Sequence, residues 1–257
     1  MANVVVAQKL AKRFYLRRNP IHSVKELFLG VFHERHRMEL QEFWALRDVS
    51  LSVAAGESLG LVGRNGSGKS TLLKLIAGIH RPTEGQVFVR RGVRIASMIE
   101  LGVGFHPELT GRDNVYLNTS IYGLRRAEVD RLYDAIVDYA EIGSFIDEPI
   151  KNYSSGMSMR LGFAIVAHLD PDILLLDEIF AVGDADFQGK CQKTMREFVE
   201  RGKTILFVSH SPDAVRQMCS RVCVLSHGHV VFDGEVTQGL AAYDALIAAE
   251  HATVPSR

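Results

Sequence analysis

Gly63-Arg64-Asn65-Gly66-Ser67-Gly68-Lys69-Ser70-Thr71 is the stretch on which the fold turns: Gly63 and Gly68 bracket four residues, and a lysine, a serine and a threonine follow. Glycines let the backbone approach an anion closely, and a helix starting after them turns its positive end toward that anion. The spacing is that of a phosphate-binding loop, with Lys69 as a point charge for the β- and γ-phosphates and Ser70 as a Mg²⁺ ligand. Candidate nucleotide contacts are Gly63, Arg64, Asn65, Gly66, Ser67, Gly68, Lys69, Ser70 and Thr71.

The flanks supply the context the loop needs. Leu59-Gly60-Leu61-Val62 reads as a buried strand entering it, and Leu72, Leu73, Leu75 and Ile76 share one face of a helix leaving it. Further upstream, 44–56 alternates apolar and polar residues as a half-buried strand does, and ends in a turn at Ala55-Gly56-Glu57.

Downstream, Ile173-Leu174-Leu175-Leu176 and Thr204-Ile205-Leu206-Phe207-Val208 are apolar on both faces, with a helical stretch around 192–200 between them. Parallel strands covered by helices on both sides have this pattern. Asp177 and Glu178 stand directly after the first of these strands, a second nucleotide-hydrolase signature. At a strand end Asp177 is placed to hold Mg²⁺ and Glu178 to polarise the attacking water as general base.

Between Thr110 and Leu169 the strand pattern disappears and helix starts are expected near Asp113, Ala127 and Ser154. The expected fold class is α/β: a P-loop nucleotide hydrolase core, RecA-like with a mostly parallel sheet, an antiparallel β edge and an inserted helical subdomain. The expected boundaries are 1–95 and 165–238 for the core, 96–164 for the helical subdomain and 239–257 for an alanine-rich tail.

The 257 residues suit one folded unit, and a 23% share of charged residues argues against a membrane-spanning chain. No apolar run approaches the roughly 20 residues of a spanning helix, and the first dozen residues do not read as a signal peptide, so a soluble cytosolic protein is expected. Lys plus Arg equals Asp plus Glu at 30 each, which lends no support to a nucleic-acid-binding module. Cys191, Cys219 and Cys223 are an odd, sparse set that reads as reduced cytosolic thiols.

Tyr153-Ser154-Ser155-Gly156-Met157, followed by Arg160, resembles the signature segment of ATP-binding cassette proteins, whose family pattern is Leu-Ser-Gly-Gly-Gln. Ser154 and Gly156 match it; Tyr153, Ser155 and Met157 depart from it. The resemblance implies that Ser154 and Gly156 contact the γ-phosphate of ATP bound to the other subunit, and hence a homodimer. It also implies ATP and Mg²⁺ as ligands and, in the family's order, Asp184 as the loop aspartate communicating between subunits and His210 as the switch histidine. Where the family has a Mg²⁺-sensing glutamine this chain reads Met98-Ile99-Glu100-Leu101-Gly102, making Glu100 the nearest candidate. Phe14 best resembles the adenine-stacking aromatic, with Tyr15 as its rival; either is also readable as core.

Within that family the chain carries extra residues between Tyr15 and Phe43. In this 16–43 insertion Ser23 and Glu26 form a capping-box pattern, and Val24, Leu27, Phe28, Val31 and Phe32 follow at helical spacing. Such an amphipathic helix suits the membrane surface, a membrane partner or its own domain. The insertion, the Glu100-Leu-Gly-Val-Gly-Phe-His-Pro-Glu-Leu-Thr-Gly-Arg-Asp-Asn-Val stretch, the signature and Ala181-Val-Gly-Asp-Ala-Asp-Phe look like ATPase subunits of O-antigen, capsular-polysaccharide and teichoic-acid exporters. This resemblance implies an ATPase at the cytoplasmic face of the membrane, working with integral membrane permease subunits, without nucleic acid and with indirect glycan contact. No C-terminal carbohydrate-binding domain is expected after Tyr243. The alternatives are the cassette of another transporter, whether lipid or drug exporter or importer, or a soluble non-transport cassette ATPase.

Overall fold

The computed structural model describes residues 2–18, 39–99, 104–177, 184–209 and 211–253. A six-stranded sheet has the order β5-β6-β7-β3-β8-β9. Its strands are β3 (Ser58–Val62), β5 (Ile95–Met98), β6 (Ile173–Asp177), β7 (Thr204–Val208), β8 (Arg221–Ser226) and β9 (His229–Gly234). All pair in parallel except β9, which returns antiparallel to β8. The expected mostly parallel sheet with an antiparallel edge is therefore present.

Strand β6 shows why the apolar runs lack alternation. Ile173 and Leu175 point into one core and Leu174 and Leu176 into another, so both faces are dry. One core joins the sheet to helix α1 (Lys69–Ile76) and to a second, three-stranded sheet; the other joins it to the remaining helices. Leu72, Leu73, Leu75 and Ile76 of α1 are all buried, each contributing about 1.5–3 kcal/mol of apolar transfer free energy. That burial anchors the helix that begins at the phosphate loop.

The three-stranded sheet has the order β2-β1-β4, built from β1 (Asn3–Arg18), β2 (Glu39–Ala54) and β4 (Glu84–Val89). Here the observed strands outrun the expected ones. The ladder pairs Phe14 with Phe43 and continues through Arg17 with Leu40 to Arg18 with Glu39. Both described ends of the 16–43 insertion are therefore strand; residues 19–38, with the helix positions expected from Ser23 to Phe32, lie outside the described residues. Cross-strand pairing explains the extension: Arg13 bonds Glu42 at 2.9 Å across the hairpin, and its guanidinium carbon lies 5.3 Å from the Trp44 ring.

From 111 to 168 every regular element is helical: α2 (Gly111–Ile121), α3 (Arg126–Ala140), two short 3₁₀ turns and α4 (Ser155–His168). Thr110 caps α2, its hydroxyl accepting from the Asp113 N–H at 3.1 Å while donating to the Asp113 carboxylate at 2.7 Å. Asp113 thus sits in the first turn it was expected to mark. Among the described residues the remaining helices are α5 (Ala185–Glu200), α6 (Pro212–Met218) and α7 (Val236–Thr253), so the alanine-rich tail is helical as far as Thr253.

Candidate nucleotide site

The phosphate loop leaves the fully buried strand β3 and turns into α1. Glycine is required at both ends by contact as well as by torsion. A Cβ on Gly63 would lie 2.3 Å from the Leu225 carbonyl oxygen, and one on Gly68, at φ +107°, would lie 2.7 Å from the Ala45 carbonyl oxygen. The loop is thus clamped between β8 and β2, with Arg64, Asn65 and Gly66 on its exposed side.

The loop's electrostatics suit an anion. Lys69 is 6% exposed, and its ammonium donates to the carbonyls of Gly63 at 2.7 Å and Arg64 at 3.1 Å. Helix α1 has no acidic residue in its first turn and no side-chain cap, so its N-terminal dipole is uncompensated there. Ser67 Oγ is buried with no hydrogen-bond partner among the described residues. A cation, an uncapped helix start and an orphaned hydroxyl converge on one short loop.

Parallel pairing sets the remaining strand ends beside it. Asp177 is in register with Val208, and Val208 with Leu61, so the C-terminal ends of β6, β7 and β3 form one edge. Half-buried Asp177 therefore stands on the edge from which the phosphate loop springs. Glu178 and His210, the candidate base and switch histidine, lie outside the described residues, as does Glu100, two positions beyond the end of β5. Among the described residues no cluster of three or more His, Cys, Asp or Glu side chains is arranged to hold a metal. Ser70 with Asp177 offers hard oxygen donors, a set that suits Mg²⁺ completed by phosphate oxygens and water.

Ser154 is the N-cap of α4, its hydroxyl accepting from the Met157 N–H at 3.2 Å. Open space flanks Gly156, where an added Cβ would meet only Ser154 Oγ, at 3.8 Å. Tyr153, which departs from the family pattern, has a job of its own. Its hydroxyl donates to the Phe145 carbonyl at 2.6 Å, over Gly111, where any larger residue would collide with it. Burial pushes that phenol up to about 12.

Asp184 caps α5, accepting from the Phe187 N–H at 3.0 Å through Oδ1 and from Arg160 at 2.5 Å through Oδ2. Both donors hold its carboxyl below the usual aspartate range, the Phe187 amide foremost. Phe14 lies edge-on to His80, with ring centroids 5.7 Å apart and the Lys12 ammonium 5.0 Å from its centroid. Tyr15, next on the strand, is 54% exposed. A cavity of 510 Å³ opens against the outer turn of the loop, between Arg64, Ser67, His227 and Tyr243, but neither Lys69, Ser70 nor Asp177 lines it. The anion-binding groups of the loop thus lie apart from that cavity.

Two further residues organise this region without standing out in the sequence. Asn114, fully buried, accepts from the His106 N–H at 2.7 Å and faces the carbonyls of His106, Leu109 and Thr110, which pins the chain after the Glu100 stretch. Arg221 forks onto Asp233 through two 2.6 Å bonds and reaches Glu57 at 2.8 Å, tying β8 to β9 and to the start of β3. An asparagine one turn past a helix cap is a weak signal for the first; for the second, sequence carries none.

The sequence model of the ABC transporter family matches residues 46–181, more than half of the chain. The chain belongs to the ABC transporter family. It is 48% identical over 225 residues to the O-antigen export system ATP-binding protein RfbB of Klebsiella pneumoniae, covering 86% of this chain and 89% of the relative. To the teichoic acids export ATP-binding protein TagH of Listeria innocua it is 41% identical over 246 residues, covering 95% and 71%. Among solved structures, a dimeric ATP-binding cassette in a post-hydrolysis state bound to ADP and Pi superposes with a TM-score of 0.70 at 22% identity, over 90% of this chain and 98% of that one. The ATP-binding subunit of an ABC transporter gives 0.71 at 21%, over 94% and 93%. These two share the cassette fold with the chain.

Proposed function

We propose that this cassette is the ATP-hydrolysing subunit of an exporter that moves a lipid-linked polysaccharide, of O-antigen, capsule or teichoic-acid type, across the cytoplasmic membrane. The observation that carries this reading is the 48% identity, over nearly the full length of both chains, to a protein named for O-antigen export. The subunit works as a homodimer on the cytoplasmic face, against integral membrane permease subunits that make the glycan contact. None of the described helices is long and apolar enough to cross a membrane, so spanning is assigned to the partner.

In this reading the Lys69 ammonium exchanges its bonds to the Gly63 and Arg64 carbonyls for β- and γ-phosphate oxygens of ATP, and the uncapped start of α1 faces the same charge. Phe14 or Tyr15 stacks on the adenine. Ser70 and Asp177 would hold Mg²⁺, with Glu100 as the further candidate ligand; the ion would neutralise phosphate charge. Glu178 accepts a proton from the attacking water, His210 orients that water, and Ser154 and Gly156 of one copy face the γ-phosphate held by the other. Asp184 lies at the seam between copies. Closing and reopening of the pair then drives the permease.

ATP turnover of the purified subunit, alone and, in lipid, with a membrane protein that copurifies with it, tests this. Stimulation by the partner together with one class of lipid-linked glycan is the expected result; turnover indifferent to both refutes the exporter reading. Glu178→Gln is expected to keep ATP binding while losing roughly 10²–10⁴-fold in turnover, and near-normal turnover refutes the base role.

A further inference from the structure

We propose that Arg160 is a positioning residue: its guanidinium clasps the helix that presents Ser154 to Asp184, the cap of α5. Arg160 lies on α4, six positions after Ser154. One nitrogen donates to Asp184 Oδ2 at 2.5 Å and another to Glu141 Oε2 at 3.2 Å, while its guanidinium carbon lies 4.7 Å from the centroid of the Phe187 ring. The side chain is 15% exposed, unusually enclosed for an arginine beside two half-exposed carboxylates.

The partners of the clasp come from two other helices, Glu141 from the end of α3 and Asp184 and Phe187 from α5. Glu141 ends α3 in a left-handed conformation at φ +54°, unusual for a non-glycine, and its second oxygen takes Lys190 of α5 at 2.6 Å. Lys190 in turn donates to the Tyr139 carbonyl at 3.0 Å. Phe187 is fully buried against Phe163 of α4 and Tyr139 of α3. Three helices thus meet under one guanidinium.

The consequence for chemistry follows from what Asp184 holds: it is the N-cap of α5, the helix that follows β6 in the chain. Asp184 spends both oxygens within its own subunit, one on its helix and one on Arg160. Removing the guanidinium frees Asp184 Oδ2 and unlinks Asp184 from the signature helix. A lysine keeps the charge but lacks the planar fork that serves two carboxylates while lying on a ring.

This inference deepens the hydrolytic reading proposed above and rests on it, so the test needs a readout independent of turnover. Arg160→Met and Arg160→Lys would be compared with wild type by amide hydrogen exchange at Phe187, whose N–H bonds Asp184, and by steady-state ATP kinetics of the full-length subunit. The expected result is faster exchange in R160M, kcat lowered about tenfold with KM for ATP within twofold, and R160K between R160M and wild type. Unchanged exchange overturns the clasp whatever the kinetics. Faster exchange with wild-type kcat, or R160K no better than R160M, overturns the positioning role. A wild-type subunit with no turnover, but with the exchange difference present, removes the ATPase reading and supports the clasp.

Discussion

Replacing Asn114 by alanine removes a buried plug whose cost is countable. Its side-chain oxygen is the acceptor recorded for the His106 N–H, and its amide protons are shared among the carbonyls of His106, Leu109 and Thr110. Those carbonyls each keep one backbone donor, from Leu109, Ile150 and Asn114 respectively, so the group stranded by the substitution is the His106 N–H. Two lost hydrogen bonds at about 1 kcal/mol each, plus about 1–2 kcal/mol for the stranded donor, predict a loss near 3 kcal/mol. For a chain of this size that lowers Tm by about 6–12 °C. Urea denaturation of wild type, Asn114→Ala and Asn114→Asp measures it. Asn114→Asp keeps the acceptor but sets a carboxylate against three carbonyls, so it should be at least as destabilised at pH 7. A loss under about 1 kcal/mol for Asn114→Ala, or wild-type stability in Asn114→Asp, refutes the reasoning.

Cys191, Cys219 and Cys223 are all buried, and burial pushes each thiol up to about 12, so none should react with a thiol reagent in the native subunit and all should in urea. Rapid labelling of any of them without denaturant contradicts this. Acid should act through the Arg160 cluster: Lys190, and Arg160 behind it, hold Glu141 below the usual glutamate range, and Asp184 is likewise depressed. A carboxyl whose folded pKa is lowered stabilises fully above its unfolded pKa, about 4.3 for Glu and 3.9 for Asp, and loses that stability as pH falls through the folded value. Tm should therefore be insensitive to this pair from pH 7 down to about 4.5 and fall below it, less steeply in Glu141→Gln; an equal slope in both would disprove the linkage.

Much of this architecture was legible from residue type and spacing. Gly63, Gly68 and Lys69 announce a phosphate loop because few other chemistries need that pattern, and the unbroken apolar runs of β6 and β7 announce strands covered on both faces. The Ser154 cap was readable for the same local reason. The hairpin was less so: residues 39–43 do not alternate cleanly, and their strand conformation comes from partners on β1 more than twenty positions away. Asn114 was barely legible and Arg221 not at all, because an isolated asparagine or arginine is usually solvated, and only packing buries the first and engages the second with Asp233 and Glu57.

What the sequence alone determined is the chemistry available and the order in which it arrives: the loop, the acidic strand end, the serine-capped helix and the family they compose. The tertiary structure decided which of those groups share an edge and which are already engaged. Strand register lines up residues 177, 208 and 61, and helix packing sets Arg160 between Glu141 and Asp184. Such adjacency depends on long-range pairing and side-chain packing, for which neither periodicity nor local propensity carries information.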